Sequence, residues 1–494
     1  MIGNSTFEYV WVVSWAFILH LISPVCVLYC ILAACFSELP RYPLYLAVPE
    51  TIFYVVTRFY RKYHIQRPAA HPPLASKEKR EVLFDRCLDT TPDHEQYISK
   101  WFLDAPMSDI RRENVKEFFR WAFLNADAAD PEYDDELESY VKKLEGRIGR
   151  EFPPGKSDTK SLRLTLDKVN ALHRSLIWYM CIFVVDTLTH AYLRFHNFHF
   201  YRGSFLHSVK ILPPRPHAFV ASQNSSSHNV SYWYRPHTSR KELPILFLHG
   251  IGVGLWPYME FLKEINQGRR EEDGQVGVLA VEILSISSRL ISPPPPKEEM
   301  CRQLGAILDQ HDFDKFVVVT HSYGSVIATH MLKTPDLASR ISSVILVDPI
   351  SILLNQPDVA YNFTFRKPRF ANEWLLWYFG SKDIGVAHTL ARAFFWSENV
   401  IWKDDILNHR CCVFLSEKDS IINARKVFAY LQKESDTNRD ESHSVLDQRQ
   451  GEPAGSLRVV WCPELDHGQV FDIRRWRARL KSEVLGEARQ AKMS

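Results

Sequence analysis

The chain has 494 residues, of which 46% are hydrophobic, 24% charged and 13% aromatic. That balance is too apolar for a disordered protein, and 19 glycines exclude a collagen-like repeat. Sixty basic residues against 58 acidic ones leave a formal charge of +2, so no global field attracts nucleic acid. Length predicts two or three domains, or one enlarged domain with appendages. Nine cysteines, an odd number without a CxxC pair, are too few for a disulfide scaffold and show no metal-ligand spacing. They predict a reducing compartment for most of the chain.

From Val10 to Phe36, 27 residues pass without Asp, Glu, Lys or Arg. About 20 apolar residues cross a bilayer, so this run predicts a membrane anchor, with Pro24 as a tolerated kink. A cleaved signal peptide would show a shorter apolar core behind a basic start, whereas this leader carries Glu8 and no Lys or Arg. Arg58, Arg61, Lys62, Arg67, Lys77, Lys79 and Arg80 follow against Glu78 alone. By the positive-inside rule they place the rest of the chain in the cytoplasm, with the endoplasmic reticulum or a lipid-droplet surface as the expected membrane. Residues 42–57 are apolar but broken by Pro43, Pro49 and Glu50, and read as an interfacial or re-entrant helix. A second crossing there would reverse the orientation or make a hairpin.

Residues 64–80, with Pro68, Pro72 and Pro73, read as a linker. Residues 81–172 read as helical, with Val115, Phe118, Phe119, Ala122 and Phe123 at helical spacing. Leu176–Val185 is too short to span before Asp186 interrupts it, and predicts a buried or membrane-facing helix. From about residue 200 short apolar runs alternate with helical ones. Strands are expected at 206–212, 230–234, 245–248, 277–283, 316–320, 344–347, 412–415 and 458–461. Helices are expected at 256–265, 297–311, 322–333, 422–432 and 467–480. Such alternation predicts a mostly parallel sheet with helices on both faces. Residues 434–455 are polar and predict a surface insertion.

The chemistry centres on Val317-Val318-Val319-Thr320-His321-Ser322-Tyr323-Gly324. A β-branched run turns into a helix at a serine flanked by a small residue, the setting of a nucleophile elbow. Thr320 replaces the first small residue, a departure that by itself weakens the motif. Upstream, Leu246-Phe247-Leu248-His249-Gly250-Ile251-Gly252-Val253-Gly254 runs a strand into a glycine-rich turn. There the N–H of Ile251 or Gly252 can join that of Tyr323 as an oxyanion hole. No GxxxxGK[ST] motif supports a phosphate loop. Downstream, one strand ends at Asp419 and the last ends at His467. The order Ser322, Asp419, His467 predicts a nucleophile, an orienting acid and a general base. Asp348, ending the strand before, is the alternative acid, and His249 and His321 read as structural.

With these motifs in this order, residues 243–483 resemble the α/β-hydrolase superfamily. The N-terminal run and Leu248–Gly254 more narrowly resemble fungal membrane-associated lipase- or esterase-like serine hydrolases. The resemblance implies an α/β-hydrolase sheet with a helical lid insertion, behind an N-terminal transmembrane helix and a helical accessory region. It also implies serine-hydrolase chemistry without a metal or organic cofactor. The expected organisation is an anchor and interfacial segment (1–63), a linker and accessory region (64–199), two parts of the hydrolase domain (200–348 and 409–494) and a lid (349–408). Twelve of the 60 lid residues are aromatic, against 13% in the whole chain, among them Trp374, Trp377, Phe394, Phe395 and Trp396. An apolar lid over a serine predicts a lipid-like ester as substrate. The bilayer is the expected partner and nucleic acid is not. An acyltransferase using the same serine, or a non-catalytic scaffold, are the alternative readings.

Overall fold

The computed structural model describes residues 3, 5–432 and 456–493. The polar stretch 434–455 lies outside them. Nine strands form one sheet: β1 (His199–Arg202), β2 (Gln223–Asn224), β3 (Ser231–Arg235), β4 (Ile245–Leu248), β5 (Val278–Glu282), β6 (Phe316–His321), β7 (Ile341–Val347), β8 (Arg410–Ser416) and β9 (Leu457–Cys462). Their spatial order is β2-β1-β3-β5-β4-β6-β7-β8-β9. β3 is antiparallel to β1 and β5, and every pair from β5 to β9 is parallel.

The central strands are apolar on both faces because both faces are covered. Leu246, Leu248 and Val318 join one apolar cluster, and Ile245, Phe247, Val317 and Val319 join the other. This is the period-two alternation of a strand. Helices Lys297–Gln310 and Gly324–Leu332 and the lid cover the first face. Met259–Glu264 and the C-terminal helix from Arg474 cover the second. The helices between Lys77 and Ile148 add Phe84, Trp101, Phe118 and Trp121 to the first cluster, so the accessory region shares the core of the sheet.

Several sequence expectations need correction. Residues 206–212 are not a strand: Ser204 accepts the His207 N–H at 3.2 Å and caps a helix at Phe205–Val209. The strand beside β3 is instead His199–Arg202. Residues 150–172 are not helical, since Pro153-Pro154-Gly155 breaks the pattern. Asn114 holds that extended segment by donating to the Ser157 and Thr159 carbonyls, each at 3.0 Å. Residues 467–473 stay in a loop and a single 3₁₀ turn because Gly468 takes a left-handed φ of +74°.

Thr6–Cys35 forms one 30-residue helix, about 45 Å long at 1.5 Å per residue, and most of its surface is exposed. By length and composition it can cross a bilayer. Leu44–Phe59 packs against it. Glu50, which interrupts the apolar pattern, is fully buried, accepting from Ser23 Oγ at 2.5 Å and from the Leu176 N–H at 2.8 Å. The ten-residue apolar run at 176 continues past Asp186 to make a 20-residue helix, Leu176–Phe195.

Candidate active site

β6 ends where the chain must turn into the helix Gly324–Leu332, and Ser322 sits on that turn with φ +50°. A non-glycine residue is strained there, and neighbouring contacts hold it in place. The Ser322 N–H donates to the Val347 carbonyl at 3.0 Å, and Ser325 Oγ donates to the Ser322 carbonyl at 2.6 Å. Thr320 is accommodated inside the strand, fully buried and paired with Leu248 and Leu346. Gly324 cannot carry a side chain, because a Cβ would overlap the Leu248 carbonyl. Gly324→Ala should therefore destabilise the protein by about 3 kcal/mol or more. Gly305→Ala, whose new methyl meets nothing nearer than Leu337 Cδ2 at 3.8 Å, should raise stability by about 1 kcal/mol. Thermal unfolding of the two variants checks both signs.

His467 follows β9 and is buried. Its Nδ1 lies 2.7 Å from Asp419 Oδ2. The other Asp419 oxygen accepts the N–H groups of Ile421 (2.7 Å) and Ile422 (2.9 Å), which fixes the carboxylate. His467 Nε2 has no hydrogen-bond partner among the described residues. Burial disfavours an imidazolium, but the Asp419 carboxylate, with Asp348 and Asp466 beyond it, outweighs burial and raises His467 to about 9.

Asp348 occupies a different position. Its Oδ1 accepts the Ser416 N–H at 2.8 Å, and its Oδ2 accepts Ser416 Oγ at 2.9 Å and the Gly468 N–H at 2.8 Å. It thereby ties the ends of β7 and β8 to the histidine loop. Burial, and then the nearby Asp419 carboxylate, push its pKa well above the ordinary carboxylate range, to about 7. Polar atoms of His321, Asp348 and His467 come within 4.8 Å of one another, a spacing that a metal ion could bridge. Asp348 already accepts three donors and Nδ1 of each ring has a partner, while Nε2 of both rings has no hydrogen-bond partner among the described residues.

In the glycine-rich turn, the Gly252 N–H already donates to the Ile286 carbonyl at 3.1 Å. The N–H groups of Ile251 and Tyr323 have no acceptor among the described residues. Of the two expected alternatives in this turn, Ile251 is the one left with a donor to spare. Gly250 packs its backbone against His321 and Ser322, leaving no room for a Cβ.

Residues 245–485 match the description "Alpha/beta hydrolase family". These residues belong to that family. No curated protein matches the chain. Similar solved structures include a carboxylesterase of the thaumarchaeon Nitrososphaera gargenis, with 13% identity, 54% of this chain and 98% of that one covered, and a TM-score of 0.36. The carboxylesterase CesB of Bacillus subtilis gives 9% identity, coverages of 62% and 98%, and a TM-score of 0.36. Carboxyl esterase 2 of the fungus Tuber melanosporum gives 12%, coverages of 54% and 83%, and 0.37. Likeness at this level decides nothing about substrate.

In the α/β-hydrolase domain Ser322 and His467 line one cavity of about 450 Å³, within the usual size of a ligand site. Its wall is almost wholly apolar. From the lid come Phe363, Leu376, Phe379, Phe394, Phe395 and Trp396. Trp374 and Trp377 are not among its lining residues, which corrects the expectation for these two. They pack on each other at 5.3 Å, and the helix Ala371–Leu375, which carries Trp374, contacts the N-terminal helix Thr6–Cys35.

Other wall residues had no signal in the sequence. Trp101 and Trp121 come from the accessory helices, and Trp178 from the start of Leu176–Phe195. The accessory region also grips the lid: Trp396 Nε1 donates to the Ala122 carbonyl at 2.9 Å, and Lys100 pairs with Asp358 at 2.9 Å. Asp466, beside the histidine, accepts from Ser420 Oγ (2.6 Å), the His467 N–H (2.7 Å) and Asn372 Nδ2 of the lid (2.6 Å). Tyr258 accepts the Gly250 N–H at 3.1 Å and sits 2.7 Å from His321 Nδ1. That contact holds the His321 ring in place beside the site. His249 is engaged at both nitrogens, accepting the Ile283 N–H at 2.9 Å and lying 2.8 Å from the Gly250 carbonyl, whereas His321 Nε2 has no hydrogen-bond partner among the described residues.

Proposed function

We propose that this chain is a membrane-anchored serine hydrolase that cleaves esters of hydrophobic acyl groups. The observation that carries the reading is the His467–Asp419 contact of 2.7 Å, on one apolar cavity with a serine held at φ +50° on a strand-to-helix turn. In this reading His467 Nε2 takes the proton of Ser322 Oγ as the oxygen attacks the ester carbonyl. The N–H groups of Ile251 and Tyr323 then stabilise the oxyanion, and His467 returns the proton to the departing alcohol. Water, activated by the same histidine, releases the acid.

The helix Thr6–Cys35 supplies the anchor, and the basic residues after it orient the hydrolase domain to the cytoplasm. A fluorophosphonate probe applied to membranes carrying the full chain tests the chemistry. The expected result is covalent label on the peptide containing Ser322; no label, or label on another residue, removes the reading.

The cavity wall sets the substrate preference. Burying a methylene contributes about 0.8 kcal/mol in the ideal case, less the cost of ordering the chain. p-Nitrophenyl esters of medium and long acids are therefore expected to react with higher kcat/KM than the acetate. Phe394→Ala and Trp396→Ala should erode that preference more than they slow acetate turnover. Trp374→Ala with Trp377→Ala, outside the cavity wall, should change it less. An enzyme fastest on acetate, with no gain from chain length, would argue against a lipid-like substrate.

A further inference from the structure

Leu176–Phe195 is long and apolar enough to cross a membrane, yet both of its ends and its middle belong to one body. At its start, the Leu176 N–H donates to Glu50 at 2.8 Å and Arg174 donates to the Tyr378 carbonyl of the lid. At its end, β1 begins four residues later and enters the sheet. In the middle, Asp186 pairs with buried Arg289 and, at 3.3 Å, with buried Arg215, which reaches Glu282 of β5 at 2.6 Å. A crossing would tear the sheet from its own first strand. The helix therefore runs along the protein surface.

Its outward face is apolar. Met180, Val184 and Leu188, four residues apart, are each about half exposed, and Phe195 is 81% exposed. The segment after β1 packs against the flank of the helix. His217 stacks on His190 of the helix at 4.6 Å, and beside it Phe205 and Phe219 pack ring to ring at 5.9 Å. Leu206 (74%), Val209 (57%) and Val220 (83%) project from this segment. Apolar surface of this extent marks an interaction site.

Charge selects the occupant. Between Asp186 and Glu242 the sequence holds no acidic residue, while Arg194 and Lys210 are exposed. On its buried side the helix packs against the N-terminal pair of apolar helices, where Phe53 meets buried Tyr179 edge-on at 5.6 Å.

We propose that this face is a second membrane-docking surface. The helix Leu176–Phe195 lies in the plane of the bilayer with the 205–220 segment beside it. Its apolar side chains sit at the acyl–headgroup boundary, and Arg194 and Lys210 sit against anionic headgroups. This docking does not depend on Ser322 being the nucleophile. One consequence does rest on that reading: Trp178, in the first turn of the docked helix, is a wall of the catalytic cavity. Docking holds that wall at the lipid surface, so the ester is drawn from the bilayer.

The test uses the full chain in vesicles of phosphatidylcholine and phosphatidylserine. Cys181, an exposed native thiol on the helix, takes a bimane fluorophore once Cys30 and Cys35 are replaced by Ala. Leu206→Cys and Val220→Cys report on the 205–220 segment after Cys181→Ala, and Asp336→Cys is an exposed control. Nitroxide-bearing lipid is expected to quench the first three sites several-fold more than the control, and aqueous iodide to quench only the control. Iodide quenching of Cys181, Leu206→Cys and Val220→Cys in vesicle-bound protein overturns the proposal. Protection from both quenchers also overturns it, by placing a protein partner or a second copy on the face. Leu206→Glu with Val220→Glu should reduce lipid quenching at Cys181 while Ser322 still takes the fluorophosphonate. Loss of that label in the wild-type chain would count against the hydrolase reading alone.

Discussion

Ser322→Ala is expected to abolish fluorophosphonate labelling and to lower kcat by roughly 10⁵–10⁶-fold, the scale at which a serine nucleophile and its base act as one unit. The backbone of the turn should survive the change. Its strain is carried by the Ser322 N–H to Val347 bond and by Ser325, neither of which involves the Ser322 hydroxyl. Alanine keeps the Cβ that already fits beside Gly250. An unchanged thermal midpoint together with lost turnover identifies a chemical role. Full labelling of the alanine variant would instead move the nucleophile elsewhere in the cavity.

Asp419→Asn should lower kcat by about 10⁴-fold, through the tautomer of His467. The Ile421 and Ile422 N–H groups demand an acceptor, so the new amide must turn its oxygen toward them. Its NH₂ then faces His467 Nδ1, which becomes an acceptor, and the ring proton moves to Nε2. A ring protonated there cannot take the serine proton. Asp348→Asn acts differently. One oxygen is replaced by a donor that faces other donors on Ser416 and Gly468, an effect on stability of about 1–3 kcal/mol and a smaller loss of kcat.

The pH profile separates the two roles further. His467, raised to about 9, must lose its proton to act as base, so kcat/KM should climb with pH through that value. Removing the Asp348 charge takes away part of what stabilises the imidazolium, so the rising limb should shift to lower pH. A larger kcat loss in Asp348→Asn than in Asp419→Asn would transfer the orienting role to the earlier strand.

Much of the fold is legible in the residues themselves. Apolar β-branched runs such as Phe316–Val319 and Val344–Val347 can only be satisfied between two covered faces, and their alternation with helical stretches dictates a parallel sheet. The 27-residue uncharged run declares a long apolar helix by composition alone. The order of Ser322, Asp419 and His467 after their strands is equally local, because each follows the end of an apolar run.

Tertiary structure decided what depends on direction and on distant neighbours. Asp348 and Asp419 end their strands alike in sequence, and only the position of Gly468, Ser416 and the Ile421–Ile422 turn determines which carboxylate reaches the ring. Aromatic enrichment marked the lid without separating Phe394 and Trp396, which line the cavity, from Trp374 and Trp377, which pack on each other outside it. Trp101, Trp121 and Trp178 lie 144 or more positions before Ser322, beyond any local pattern, and enter the wall because the accessory helices share the core of the sheet. Asp186 ended the apolar run in sequence, but three-dimensional pairing with Arg289 and Arg215 lets the helix continue through it. A charge is legible as a residue; whether it breaks an element depends on the partner that folding brings to it.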